Sequence, residues 1–278
     1  MGSDLQVSTS LRRKVESLKD VQEQQRIIQE RLATGKLVSR PTDDPDRYFT
    51  ASALDDRASS LSSLLDDMGQ SIQTMSAADK GMTAIGKLLD VLKGKINAAK
   101  AEADPARRAD YAAEYNAILR QIEGLAEDSS YNGKNLLGGV GNNLKIVFDN
   151  DFPSVTEIKA IDYTNVALPE GLALDNASNG WANTSDLDAA QATVNKASER
   201  LKSDARAFAT DRIMVENRGA FTKSLVNALR SSSDRLTAAD MNEEGAKLLA
   251  LQTRQSLQTS ALSLSNGSEQ NILRLFGG

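Results

Sequence analysis

Between residues 51 and 96 apolar side chains recur at alternating steps of three and four: Ala51, Leu54, Ala58, Leu61, Leu65, Met68, Ile72, Met75, Met82, Leu89 and Ile96. This is the seam of a coiled coil. The rhythm slips only at Asp79 and near Gly86 and Lys93, where Ile85 and Leu92 sit one place early. A helix over that span is about 70 Å long. A rod of this length must lie along other helices to hide its seam.

The partners are present. Tyr111, Tyr115, Ile118, Ile122 and Leu125 keep the same rhythm after Asp104-Pro105, where proline suits a first helical turn. A later run reads Leu187, Ala190, Val194, Ala197, Leu201, Ala205, Phe208, Val215, Leu225 and Leu229, with Ser185 and Asp186 as candidate N-caps. Aromatics are only 4% of the chain, which suits close helix packing through small side chains better than a thick globular core.

Between the second and third rods the character changes. Leu144, Ile146 and Phe148 alternate with Lys145, Val147 and Asp149, the pattern of a half-buried strand. Further strand-like pieces at 155–163 and 166–174 are broken by Pro153, Pro169 and Gly171. A small β region with Trp181, the single tryptophan, is therefore expected to cap a helical rod. The two ends of the chain match in kind. Val7, Leu11, Leu18, Val21, Ile28 and Leu32 fall at heptad positions, with Lys14 and Gln25 as polar interruptions, and an amphipathic run from Leu248 to Phe276 closes the sequence. Two such helices pair with each other or with copies from other chains.

Chemistry is sparse. With no cysteine and no histidine, thiol nucleophiles, thiolate metal sites and the commonest general base are absent. No cofactor or metal is expected. The carboxylate pairs Asp43-Asp44, Asp55-Asp56 and Asp66-Asp67 are sequence neighbours, which on a helix do not face one another. Asp149-Asn150-Asp151 opens like a calcium loop, but Ser154 and Ala160 stand where glycine and glutamate are required. Gly138, Gly139 and Gly141 lack the lysine of a phosphate loop. The net charge of −5 and the diluted pairs Arg12-Arg13 and Arg107-Arg108 give nucleic acid no basic surface. No apolar run approaches a membrane span, and the first residues carry no secretory signal pattern.

The connector 32–45 is more informative. Gly35 can end the first helix with positive φ, Pro41 forces extended backbone before it, and Thr42 or Asp43 can cap the next helix. Here the chain resembles the bacterial flagellins: Glu30-Arg31-Leu32-Ala33-Thr34-Gly35 followed by Asp43-Asp44 matches their Glu-Arg-Leu-x-x-Gly…Asp-Asp stretch. Ser130-Tyr131-Asn132-Gly133-Lys134-Asn135-Leu136-Leu137 is similar to their Asn-Gly turn, and Ala239–Glu244 through Gln270–Phe276 to their C-terminus. The resemblance covers roughly 1–137 and 186–278.

What the resemblance implies is a mainly α, elongated, coiled-coil-like bundle with paired terminal helices and a small β region inserted mid-chain. Residues 1–40 and 234–278 would form the inner filament-core domain, 41–137 and 186–233 the rod, and 138–185 a surface-facing β region. The function implied is that of a structural subunit, not an enzyme, polymerising into the helical filament used for swimming. It would be exported without a cleaved signal peptide to an extracellular location. Partners implied are further copies of the chain, the flagellar cap and hook–filament junction proteins, and an export chaperone at the C-terminal helix; nucleic acid and membrane are not among them. The expected core contacts are Leu11, Leu18, Val21, Ile28 and Leu32 against Leu248, Leu251, Leu257, Leu262 and Leu264, with Ile272 and Leu275 at the end of the tail. Where many flagellins carry an arginine and a glutamate on the face read by the animal Toll-like receptor, this chain has Val91 and Gly94, which predicts weak receptor activation. Two alternatives remain at this level. Residues 35–45 also resemble the junction protein, a relative forming a single ring, and an exposed Trp181 would suit a secreted adhesin or carbohydrate-binding protein.

Overall fold

The computed structural model describes residues 9–150 and 154–276, apart from the side chains of 9–11, 266 and 268–276. Five helices are present: α1 (Thr9–Thr34), α2 (Pro45–Ala101), α3 (Pro105–Asp128), α4 (Thr184–Thr237) and α5 (Met241–Phe276). The strands β1 (Leu144–Asp149) and β2 (Ser154–Ile158) lie between α3 and α4. The chain is therefore mainly α with a small mid-chain sheet. It divides into two compact units, one formed by Met1–Asp56 with Leu229–Gly278 and the other by Arg57–Ala228.

In Arg57–Ala228 the seam of α2 runs without interruption. Leu61, Leu64, Met68, Ser71, Met75, Ala78, Met82, Ile85, Leu89, Leu92, Ile96 and Ala99 are all buried. The slip expected at Asp79, Gly86 and Lys93 is thus absent: the seam passes through Ala78, Ile85 and Leu92 instead. Ala78 was hard to assign because one methyl group carries little hydropathy. The same effect moves the seam of α3, where Ala112, Leu119 and Ala126 join Tyr115 and Ile122, while Ile118 and Leu125 are only half-buried. The helices α2 and α4 run antiparallel within this unit. Lys100 pairs with Asp188 at 2.8 Å, Lys93 donates to Ser198 Oγ at 3.2 Å, and Gly219 lies over Leu65 and Met68.

Helix ends follow local chemistry. Asp104 caps α3, its carboxylate accepting from Ala106 N at 3.0 Å ahead of Pro105. The same Asp-Pro device starts α2, so its cap is Asp44, which accepts from Arg47 N at 3.1 Å, and not Thr42 or Asp43. Helix α4 begins at Thr184, which places Ser185 and Asp186 inside its first turn instead of at the cap. A carboxylate there still favours the positive end of the helix dipole.

The motif after α3 is a compact stop. Asn132 (φ 49°) and Gly133 (φ 77°) form the two-residue turn of a minimal hairpin in which Tyr131 and Lys134 exchange backbone hydrogen bonds at 2.8 and 3.0 Å. Asn135 Nδ2 then donates to the last-turn carbonyls of Ala126 and Glu127, and its Oδ1 accepts from Leu137 N. This turn drives Leu136 and Leu137 into complete burial.

The antiparallel strands β1 and β2 pair from Leu144–Ile158 to Val147–Val155, with a bulge before Asp149. Ile146, Phe148 and Ile158 point inward. The strand expected at 166–174 does not form. That segment makes turns that bury Val166, Leu172 and Leu174, because Pro169 and Gly171 deny it a ladder. Arg200 holds it on α4 by donating to Pro169 O at 2.8 Å, and just before the segment Tyr163 Oη donates to Asp204 at 2.6 Å. Burial pushes the Tyr163 and Tyr115 hydroxyls well above their ordinary pKa. Trp181 is fully buried and meets Tyr115 edge-on, ring centroids 5.0 Å apart. Its backbone and those of Asn179 and Gly180 are left-handed (φ 55°, 48° and 57°). The packing of the indole holds a conformation that L-residues otherwise avoid.

Candidate subunit interface

In the unit formed by the two chain ends, α1 and α5 pack side by side. Gln258 Nε2 donates to Ser17 Oγ at 2.9 Å, and Arg31 lies 3.7 Å from Glu244. Rising numbers on one helix therefore match falling numbers on the other, so the pair is antiparallel.

The connector locks one end of this pair. Gly35 (φ 69°) stops α1 and its N–H returns to Arg31 O at 2.8 Å. The next residues clip onto the α4–α5 junction: Leu37 N donates to Thr237 O at 2.7 Å, and Ala239 N donates to Gly35 O at 2.9 Å. The Asp43 carboxylate accepts from the N–H groups of Ser39 and Arg40 at 3.0 and 2.9 Å. Those two donors hold its carboxyl below the usual carboxylate range. Arg40 also pairs with Glu30. Asp240 caps α5, accepting from Asn242 N at 2.9 Å, which leaves Glu243 and Glu244 in its first turn. Lys247 reaches both carboxylates at 2.9 Å, and this contact raises its pKa. Glu30, Arg31, Gly35, Asp43 and Asp44 of the Glu-Arg-Leu…Gly…Asp-Asp stretch thus each have a local task.

The residues expected to form filament contacts fall into three groups. Val21 and Ile28 are buried in the α1–α5 seam, and Leu18, Leu32, Leu248, Leu251 and Leu262 are half-buried. Leu257 and Leu264 lie away from the seam, exposed by 66% and 76%. Leu11, Ile272 and Leu275 fall outside the described side chains. Within α5 the half-buried face passes through Leu248, Leu251, Gln255, Gln258 and Leu262, whereas Leu249, exposed by 66%, shares the outer face with Leu257. Val15 and Ile27 of α1 are also exposed. Beside the seam a largely apolar groove of about 400 Å³ is lined by Gln24, Ile27, Ile28, Arg31, Lys247, Ala250 and Leu251.

Of three polar residues in this seam, sequence reasoning singled out Gln25 and missed Glu244 and Gln258. Gln25 and Glu244 are buried, Glu244 to 2% exposure, and Gln258 is half-buried. Gln25 gave a signal, since it interrupts a heptad at a seam position. Elsewhere, Val91 and Gly94 lie exposed on α2, with open space around Gly94. Among the described residues no helix is long and apolar enough to cross a membrane, and no cluster of three or more potential metal ligands occurs.

Residues 3–142 match the family model of the bacterial flagellin N-terminal helical region. A flagellin of Brucella melitensis is 25% identical over 256 residues, covering 90% of each chain. Flagellin FljK of Caulobacter vibrioides is 26% identical over 251 residues, covering 90% of this chain and 89% of its own. A crystal structure of Bacillus cereus flagellin aligns with a TM-score of 0.48 and 12% identity, covering 56% of this chain and 88% of that one. The chain belongs to the bacterial flagellins, the structural subunits that polymerise into the flagellar filament.

Proposed function

We propose that the outer face of α5, centred on Leu249 and Leu257, is where one subunit joins its neighbours. The observation that carries this reading is the exposure of two large aliphatic side chains, 66% each, on a helix whose opposite face is already committed to α1. Covering a leucine removes about 1.5–3 kcal/mol of unfavourable hydration. Val15, Ile27 and the adjoining groove supply the complementary surface on a second copy. Such a contact between two different faces does not close on itself, and repetition generates a helix of unlimited length. The outcome is an inner tube built from 1–40 and 234–278, surrounded by the rod segments 41–137 and 186–233 with the β region 138–185 outermost.

Leu11, Leu18, Val21, Ile28 and Leu32 work with Leu248, Leu251, Leu262, Leu264, Ile272 and Leu275 in the same assembly. The chain serves as a structural element and not as an enzyme. It resides outside the cell. The cap and junction proteins meet the same surfaces at the filament ends, and an export chaperone covers α5 beforehand.

Electron microscopy of seeded polymerisation tests the reading. Chains carrying Leu249→Asp and Leu257→Asp are expected to give no filaments at concentrations where the unaltered chain gives long ones. Normal filaments from the double variant would overturn it. A second expectation concerns Val91 and Gly94. Without an arginine and a glutamate at those positions, purified monomer activates a flagellin-receptor reporter weakly, and a strong response at low concentration would contradict this.

A further inference from the structure

Helix α4 carries a second stripe besides its buried seam. The seam runs through Leu201, Phe208, Val215 and Thr222 at steps of seven. Thr210, Ile213, Asn217, Phe221 and Ser224 follow one another at steps of three and four, and all are exposed, Ile213 by 55% and Phe221 by 61%. At about 100° per residue the five share an arc of about 80°, roughly opposite the seam. Met214, 38% exposed, borders it. The same length of helix holds Asp211, Arg212, Glu216, Arg218 and Lys223, and every one of these charges falls outside the arc. The outer face of α5 has the same pattern. There Leu249 and Leu257 stand eight residues apart with Thr253 midway, as Ile213 and Phe221 do with Asn217.

We infer that this face of α4 is a second contact between copies of the chain, carried by the rod unit and separate from the contact on α5. An apolar strip kept clear of charge can be covered without desolvating an ion. Each copy carries a net charge of −5, so a like-charged neighbour is least opposed along a strip that adds no charge of its own. A membrane surface would ask for a basic rim, whereas Glu216 and Arg218 flank the strip with opposite signs. The occupant is a second copy because the chain is a polymerising subunit, surrounded in its filament by copies of itself. The inference needs that assembly, but it does not need α5 to be the joint.

The amides of α4 are already hydrogen-bonded within the helix, so covering its outer face is read in side-chain access. Because the chain has no cysteine, one introduced thiol reports on one face of the full-length protein. Asn217→Cys lies between Ile213 and Phe221, and Thr253→Cys between Leu249 and Leu257. Val140→Cys, at a fully exposed position, is the control. Maleimide labelling of Asn217→Cys is expected to be fast in the monomer and at least ten-fold slower in seeded filaments, with Val140→Cys fast in both. The Ile213→Asp, Phe221→Asp chain should need at least ten-fold more protein to polymerise, with helix content and denaturant midpoint little changed. Equal labelling of Asn217→Cys in monomer and filament would overturn the inference and leave the face to a partner of another kind. Slow labelling already in the monomer would overturn it as well, since the chain would then cover the face itself. Normal polymerisation of the double aspartate variant would do the same, because the face would be shielded without being a contact. Thr253→Cys keeps the two readings apart. Slow labelling at 217 with fast labelling at 253 in filaments sinks the α5 contact alone, and the converse sinks the α4 contact alone.

Discussion

In Arg57–Ala228 the helices bury their seams completely: Met75, Met82, Leu89 and Ile96 of α2, Tyr115 and Ile122 of α3 and Val194 and Val215 of α4 are at or near zero exposure. The α1–α5 pair follows the same heptad pattern yet leaves Leu18, Leu32, Leu248, Leu251 and Leu262 half-exposed and Leu249 and Leu257 largely in water. The difference lies in how many faces each helix can cover. A rod flanked by two further helices and a β cap satisfies its apolar stripe within one chain, whereas two helices alone cannot. The rod unit closes its helical seams, although Ile213 and Phe221 of α4 stay 55% and 61% exposed; the terminal pair leaves open the face on which the proposed subunit contact rests.

Breaking the comparison from the terminal side gives the largest effect, the loss of filaments in the Leu249→Asp, Leu257→Asp chain. Thermal unfolding of Arg57–Ala228 should be unmoved by those substitutions. From the other side, Trp181→Ala removes a fully buried side chain and its contact with Tyr115. It should destabilise the rod unit by about 3–5 kcal/mol, seen as a lowered denaturant midpoint. Gly81→Ala sets a methyl group 2.0 Å from Ser129 Oγ, just where α3 gives way to its stop motif. That overpacking should lower the stability of the same unit by about 1–3 kcal/mol.

Two smaller changes sharpen the contrast at the terminal unit. Gln25→Leu replaces a buried amide whose Nε2 has no partner, so the α1–α5 pair should gain about 1 kcal/mol, read as slower amide exchange in α1. The Asp43 clip is sensitive to acid. Its carboxyl titrates below the ordinary range when folded, so the stabilisation is present above the unfolded pKa and disappears as pH falls through the lower folded value. The amides of Ser39 and Arg40 should lose protection under those acidic conditions, and Asp43→Ala should reproduce that loss at neutral pH.

The long helices were legible because a heptad repeat sustained over many turns has few alternative explanations. Legibility failed where one methyl group does the packing, as at Ala78 and Ala112, and where one linear run of apolar residues holds two faces. The leucines of α5 form a single run in the sequence; only the position of α1 separates Leu248 and Leu251 from Leu249 and Leu257. Asp44-Pro45 carried the same cap signal as Asp104-Pro105 and was obscured by the neighbouring Asp43, which closes the connector instead. The seam polarity of Gln25 was visible as an interruption, but the depth of Glu244 was not, because the helix that covers it, α1 with Arg31, lies more than two hundred residues away.

The central claim, that the terminal pair is incomplete until neighbours cover it, is tested most directly by hydrogen exchange on monomer and polymer side by side. The account predicts that amides of α1 and α5 exchange orders of magnitude faster than those of α3 and β1 in the monomer, and become protected on polymerisation while the rod amides change little. Equal protection of α1, α5 and α3 in the monomer, unaltered in the polymer, would contradict it.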